Sequence, residues 1–232
     1  MKRLFPILIM LGLITIPKLS LFAADPLWIK ALDFTAPANT EKAAMMEMQS
    51  RELNRNGELI KTINMIFTLD RSSGDYILVS ADEEGKDVTD KLRRQSEKRK
   101  SGNPQDYVHQ IFNPGNAENL ALSARAATAI VNGRECRIYD FHLEDERPMG
   151  PGKPKYVVEE GMVFIDIESG MPLRLTSSMV EGPDSLKRFD FSMSGGPGSG
   201  GLWRVKEIKT AFIARMIIYK AGEFRMRFIY EG

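Results

Sequence analysis

The chain has 232 residues, of which 43% are hydrophobic and 27% are charged, and its formal net charge at pH 7 is +1. This balance excludes a general nucleic-acid-binding protein, which needs a basic surface. Cys136 is the single cysteine, so an intrachain disulfide is excluded and stability must come from burial and strand pairing.

The first 24 residues have the pattern of a cleavable export signal. A basic start precedes an apolar run from Leu4 to Ile16, and the small residues Ala23 and Ala24 allow cleavage before Asp25. A membrane anchor is the alternative, but the run is shorter than the ~20 apolar residues of a spanning helix, and proline and glycine interrupt it. We therefore predict an exported, periplasmic protein from which residues 1–24 are removed.

The remaining residues, 25–232, are predicted to form a single domain. A chain of 208 residues is a common size for one β-sandwich or barrel. Without the basic residues of the signal, 29 of the 32 Lys and Arg residues remain against 31 acidic ones, so the mature charge is near −2. Nucleic acid is therefore not an expected partner.

Three strands are predicted first. Met45 to Arg51 alternate in side-chain character, Leu59 to Leu69 form the next strand, and the Asn56-Gly57 turn between them tolerates the positive φ angles of a tight hairpin. Residues 40–53 are also rich in Ala, Met and Glu, so a helix stays open as the alternative there. Tyr76 to Ser80 forms the third strand after a Ser-Ser-Gly turn.

A charged helix is predicted near Val88 to Lys100, and a short one near Leu27 to Leu32. Asp87 or Thr89 can cap the charged helix, whose thin apolar stripe indicates a peripheral position. Its basic run, Lys91 to Lys100, permits transient contact with an anionic membrane surface at ~1 kcal/mol per basic residue. Interspersed acids make an ordinary solvated helix face the alternative.

Eight further strands follow the charged helix. They are predicted at Arg125 to Val131, Glu135 to Leu143, Gly161 to Ile167, Pro172 to Met179, Leu186 to Met193, Trp203 to Lys209, Phe212 to Tyr219 and Glu223 to Tyr230. Asn132-Gly133 and Ser169-Gly170 are hairpin turns, and loops are predicted at 150–154 and at Ser194 to Gly201. The total is eleven strands. The predicted fold is mainly β, an antiparallel open half-barrel with one or two peripheral helices.

The segment Met162 to Leu175, together with Gly201-Leu202-Trp203 and the closing strands, resembles the LolA, LolB and RseB superfamily of periplasmic proteins that sort outer-membrane lipoproteins. The shared features are a hydrophobic strand that ends in an acidic turn, then a proline, and later a Gly-Trp strand. The resemblance covers most of the mature chain as a strand order. It implies a LolA-like half-barrel whose concave face holds acyl chains, and it transfers no individual functional residue.

Several predicted strands carry apolar residues on both faces. A sheet with one face in water normally has polar residues on that face, so these strands have more apolar surface than such a sheet. Since the predicted helices are too slight to cover eleven strands, some apolar surface must close by curvature or bind a ligand. An acyl chain fits this need because burial is worth ~0.8 kcal/mol per methylene, or roughly 10 kcal/mol for a dozen.

The candidate lining residues are large and apolar. They are Met46, Met48, Met65, Phe67, Phe141, Phe164, Phe189, Phe191, Met216, Ile218 and Phe228. The chain contains 13 methionines, and their flexible thioethers suit a deformable lining. Ordinary core filling is an equally good explanation of the methionines.

No catalytic, metal or cofactor site is predicted. His109 and His142 are the two histidines, and neither has partners at metal-ligand spacing. Cys136 and His142 lie on one predicted strand, about 20 Å apart, which is too far for a thiol and its base. The acidic segment Asp82 to Asp87 lacks the pattern of a calcium loop.

The favoured function is therefore a periplasmic binding or carrier protein for lipid or lipoprotein acyl chains, held noncovalently in the concave face of the sheet. A sensory or scaffold module that binds an envelope protein through an edge strand or exposed face is the alternative. An outer-membrane barrel is disfavoured by the charged Val88 to Lys100 stretch, and an enzyme by the lack of an acid, base or nucleophile set.

Overall fold

The computed structural model describes residues 25–97, 111–112, 118–147, 155–182, 186–215 and 219–231. Its strands, in chain order, are β1 (Met45–Leu53), β2 (Leu59–Leu69), β3 (Tyr76–Glu83), β4 (Lys86–Asp87), β5 (Leu120–Val131), β6 (Arg134–Arg147), β7 (Lys155–Asp166), β8 (Pro172–Glu181), β9 (Leu186–Pro197), β10 (Trp203–Arg215) and β11 (Tyr219–Ile229). The helices described are α1 (Pro26–Thr35) and α2 (Thr89–Glu97), with short 3₁₀ turns at Pro37–Asn39 and Ser199–Gly201.

The described strands form one antiparallel sheet of eleven strands. Their order is β4-β3-β2-β1-β11-β10-β9-β8-β7-β6-β5. Neighbouring strands in the sheet are also consecutive in the chain, except for β1 and β11, which pair in the middle of the sheet. The outermost strands, β4 and β5, do not pair with each other, and the sheet stays open. The predicted class, a mainly β open antiparallel sheet with peripheral helices, is confirmed.

The total of eleven strands agrees with the prediction, although two elements differ. Trp203 to Lys209 and Phe212 to Tyr219 are predicted as separate strands. The first of them and residues 212–215 of the second belong to one strand, β10, because Thr210 and Ala211 continue the ladder with β9 and β11, whereas Tyr219 begins β11. The two-residue strand β4 is not predicted from the sequence, and it brings the number of strands back to eleven. Its charged residues carry no strand pattern, and its pairing depends on β3.

A second difference concerns Ser194 to Gly201, which is predicted as a loop but is strand as far as Pro197. Gly195, in this part of the strand, allows a neighbouring side chain to pack closely against the backbone. A Cβ atom on Gly195 would lie 2.7 Å from Nε1 of Trp203, whose fully buried indole fills that space. The Trp203 Nε1–H donates a hydrogen bond of 2.8 Å to the carbonyl oxygen of Pro172.

The Asn-Gly turns behave as predicted. Gly57 has a φ of 81°, and Oδ1 of Asn54 accepts hydrogen bonds from the amides of Asn56 and Glu58. Asn132 and Gly133 both have positive φ, 52° and 77°. The helix alternative for residues 40–53 is wrong, since residues 45–53 pair as a strand with β2 and β11.

An aspartate lies just before each of the two helices α1 and α2 and accepts a hydrogen bond from a backbone amide at the start of the helix. Oδ1 of Asp25 accepts the amide of Leu27 at 2.9 Å, and Oδ1 of Asp87 accepts the amide of Thr89 at the same distance. The predicted charged helix is confirmed from Thr89 to Glu97. Within the described residues, no helix combines the length and the hydropathy that crossing a bilayer requires.

Several predictions lie outside the described residues: the export signal at 1–24, the helix continuation from 98 to 100, the loop at 150–154, and the candidate residues Met216 and Ile218.

The strand register divides the sheet into two unlike faces. The apolar face carries the core side chains, which include Met46, Met226, Ile208, Met193, Leu175, Val163, Tyr139 and Phe141. The polar face carries Gln49, Arg51, Asp140, His142, Glu160, Asp190, Lys209, Glu223 and Arg225. Such a division is typical of an antiparallel sheet with one solvated side.

Candidate functional site

The apolar face is buried across strands β5 to β8. Helix α1 lies on this part, where the Trp28 ring packs on Tyr139 with centroids 5.7 Å apart and stacks on Phe112 at 5.4 Å. Tyr139 is fully buried and donates its hydroxyl proton to Oδ2 of Asp25 at 2.8 Å. This half of the face is therefore an ordinary packed core with satisfied polar groups.

The same face is more open across β2, β1, β11, β10 and β9. We call its partly exposed side chains the apolar strip: Met48, Ile63, Met65, Phe189, Phe212 and Phe224. The rings of Phe212 and Phe224 stack at 5.6 Å with an interplanar angle of 13°. Five neighbouring strands at ~4.8 Å spacing make the strip roughly 20 Å wide. The strip is continuous with the core, yet it keeps contact with solvent.

Most of the predicted lining residues share the apolar face. Met46, Phe141, Phe191 and Phe228 are buried there, whereas Met48, Met65, Phe67 and Phe189 are only partly buried. Phe164 lies on the polar face instead, beneath the guanidinium group of Arg174, which is 5.6 Å from its ring centroid.

Sequence reasoning missed three members of the strip, Ile63, Phe212 and Phe224. Each lies in a predicted strand, but apolar neighbours such as Ile213 left the facing side of β10 undecided. It also missed Glu159, a fully buried acid on the apolar face opposite Leu143. The predicted strand began only at Gly161, so no signal marked Glu159 as inward-facing.

Ion pairs between strands and within strands cover much of the polar face. Arg51 bonds to Glu223 at 2.8 Å, and the carboxylate of Glu207 is shared by Lys209 and Arg225. A hollow of about 400 Å³ has Arg51, Glu223, Lys209 and Arg225 in its lining. Since the charged side chains that line it form ion pairs and are exposed to solvent, we interpret the hollow as a network of surface ion pairs and not as a ligand site.

A second polar group surrounds His142 on β6. Its Nδ1 lies 3.1 Å from Oε1 of Glu160, and its Nε2 lies 3.2 Å from Oε1 of Glu144. Hydrogen bonds to Glu160 and then Glu144 raise the pKa of His142 above its ordinary value. The hydroxyl of Tyr156 donates to the other oxygen of Glu144 at 2.8 Å.

This geometry predicts a pH-dependent contribution of His142 to stability. Because the pKa of the folded state is raised, the contribution is complete below the unfolded pKa of ~6.5 and is lost as the pH rises through the folded value. The side chain is 40% exposed, so we expect less than about 1 kcal/mol. Urea unfolding of the protein and of His142→Gln, between pH 5 and pH 9, measures it.

The difference in free energy of unfolding between the two proteins should shrink as the pH rises. His109 is present in both, so its titration cancels. When Glu160→Gln is introduced into both proteins, the pH dependence of the difference between them should become smaller. A difference that stays constant over the whole range would contradict the assignment.

No protein-family model matches this chain, and no curated protein matches it. Two solved structures are similar over most of its length. A DUF1329 family protein from Desulfovibrio piger ATCC 29098 has 10% identity and a TM-score of 0.31, with 87% of this chain and 91% of that chain covered. MucB in complex with MucA(peri) has 9% identity and a TM-score of 0.25, with 86% and 92% covered. Similarities this distant support no inference about function.

Proposed function

We propose that this chain is an exported, noncatalytic protein of the periplasm that binds an acyl chain of a lipid or lipoprotein on the apolar strip. The observation that supports the proposal is the strip itself, in which large apolar side chains extend the core surface but remain partly exposed. Contiguous exposed apolar surface of this kind marks ligand or partner sites on soluble proteins.

The composition of the strip suits an acyl chain. Its members are aromatic rings, methionines and an isoleucine, with the small polar side chains of Ser50 and Thr210 between them and the charged pair of positions Glu52 and Lys61 at one end. Burial of a dozen methylenes contributes roughly 10 kcal/mol before ordering costs, so even partial burial gives useful affinity. Met48 and Met65 are opposite each other on β1 and β2, and their unbranched side chains can adapt to ligands of different shape.

Titration of purified residues 25–232 with a fluorescent long-chain fatty acid tests the proposal. We expect saturable binding in the micromolar range, competed by unlabelled long-chain fatty acids and not by butyrate, because affinity depends on buried methylenes. Native mass spectrometry of the gently purified protein should reveal a bound lipid. Absence of both saturable binding and copurified lipid would refute the acyl-chain function.

A further inference from the structure

The two edges of the sheet are protected differently. At the β3 edge, β4 has only two residues, both charged, and α2 covers the backbone beyond them. The amide of Ala81 donates to Oγ1 of Thr89 at 2.8 Å, and Nη2 of Arg93 donates to the carbonyl oxygen of Leu78 at 3.3 Å. Short strands, charges and a covering helix are the usual ways of blocking an edge.

The β5 edge differs from the β3 edge in strand length and in composition. The strand has 12 residues, from Leu120 to Val131, and contains neither lysine nor proline. Side chains 123–128 are all exposed, and Ile130 is 71% exposed. The charge of Arg125 is neutralised by Asp140 in a bidentate pair with both distances 2.7 Å. Among the described residues, no strand pairs with the outer side of β5.

The hydrogen-bond pattern identifies which backbone groups point outward. The amide of Glu144 donates to the carbonyl oxygen of Asn119 at 3.0 Å, which makes these residues a hydrogen-bonded pair. Because such pairs alternate in an antiparallel ladder, Ala121 and Ser123 bond to β6, and Leu122 and Ala124 direct their N–H and C=O groups outward. The register shifts after Ala124, so the regular open edge is Leu120 to Ala124.

The polar face beside this edge is acidic. A hollow of about 530 Å³ lies there, with Ala121, Ser123, His142, Glu160 and Met162 in its lining. The small side chains on β5 leave the hollow accessible from the edge. Arg125 and Asp140, which pair with each other, also line the hollow, so Glu160, whose side chain is 58% exposed, gives the lining its excess negative charge when His142 is neutral.

We propose that Leu120 to Ala124 bind an extended, basic segment of a partner polypeptide by strand addition. Main-chain hydrogen bonds to Leu122 and Ala124 hold the segment, and a Lys or Arg side chain enters the hollow and pairs with Glu160. Opposite charges on the two surfaces favour this partner over acidic ones. The site lies on the other face and at the far edge from the apolar strip, so it is independent of acyl-chain binding.

The test uses residues 25–232 and a labelled seven-residue peptide that alternates Lys and Val, with both termini blocked. Fluorescence anisotropy should show binding that weakens as salt is added. Ala124→Pro, which removes one outward N–H donor, should weaken binding at least tenfold, and Glu160→Gln severalfold. Circular dichroism and urea unfolding establish whether each variant folds.

Two matched peptides keep the test independent of variant folding. A Glu and Val peptide should bind at least tenfold more weakly, and so should a Lys and Val peptide methylated at alternate backbone nitrogens. Equal binding of all three peptides, or no binding at about 1 mM, the weak end of specific affinity, would overturn the proposal. So would a dimer in sedimentation that Ala124→Pro dissociates, since the edge would then bind a second copy of this chain.

Discussion

Replacement of Gly161 by alanine should destabilise the protein by several kcal/mol and can prevent folding altogether. A Cβ atom at this position would lie 2.0 Å from the backbone carbonyl oxygen of Thr176 and 2.7 Å from two ring carbons of Phe141. The Phe141 ring is buried, so it cannot move aside without disturbing the core, and the Thr176 oxygen belongs to the next strand. Overpacking costs typically ~1 to 3 kcal/mol, and more when the backbone must shift.

Urea unfolding of Gly161→Ala and of the unchanged protein measures the effect. Gly57→Ala is the matched control because its added Cβ would meet nothing within 4 Å, although its φ of 81° adds strain. We expect the control to cost about 1 kcal/mol. Since whole domains are stable by only ~5 to 15 kcal/mol, the difference between the variants should be plain. Equal costs would mean that β6 and β8 do not pack on Gly161 as described.

Phe224→Asp should reduce acyl-chain affinity by roughly thirtyfold. Phe224 stacks on Phe212 and lies near the middle of the apolar strip, between Ser50 of β1 and Thr210 of β10. A carboxylate there would stay hydrated, and two or three methylenes of the bound acyl chain would remain exposed to water. At ~0.8 kcal/mol for each methylene, the loss is ~2 kcal/mol, and each 1.4 kcal/mol is a factor of ten.

Phe164→Asp is the matched control, since it makes the same chemical change on the opposite face of the sheet. It should leave the affinity for the fluorescent fatty acid within about twofold of the original, provided that circular dichroism shows a folded protein. Phe224→Leu should retain most of the affinity because it keeps the position apolar. If the two aspartate variants lose affinity equally, the ligand does not bind on the apolar strip.

Local signals account for the elements that were predicted well. The turn at Asn56-Gly57 and that at Asn132-Gly133 need only residues that tolerate positive φ, and that property belongs to the residues themselves. The N-terminal aspartates of both helices likewise act on amides two residues away. Such interactions are visible in sequence because both partners are neighbours along the chain.

The candidate site was predicted only in part, for a different reason. In β7, Val163, Phe164 and Ile165 are all apolar, so alternation alone does not decide which side chains face the core. The register with β6 and β8 places Val163 and Ile165 in the core and Phe164 under Arg174. Phe164 therefore lies on the opposite face of the sheet from the other described candidate residues.

The sequence by itself determined the strands, their hairpin turns and the predominance of antiparallel pairing between chain neighbours, because these depend on period-two patterns and on turn residues. The tertiary structure alone decided the pairing of β1 with β11, the union of two predicted strands in β10, the face that became the core, and the difference between the blocked β3 edge and the open β5 edge. These features arise from contacts between residues far apart in the chain. Their energies depend on register and burial, and neither is encoded in any single segment.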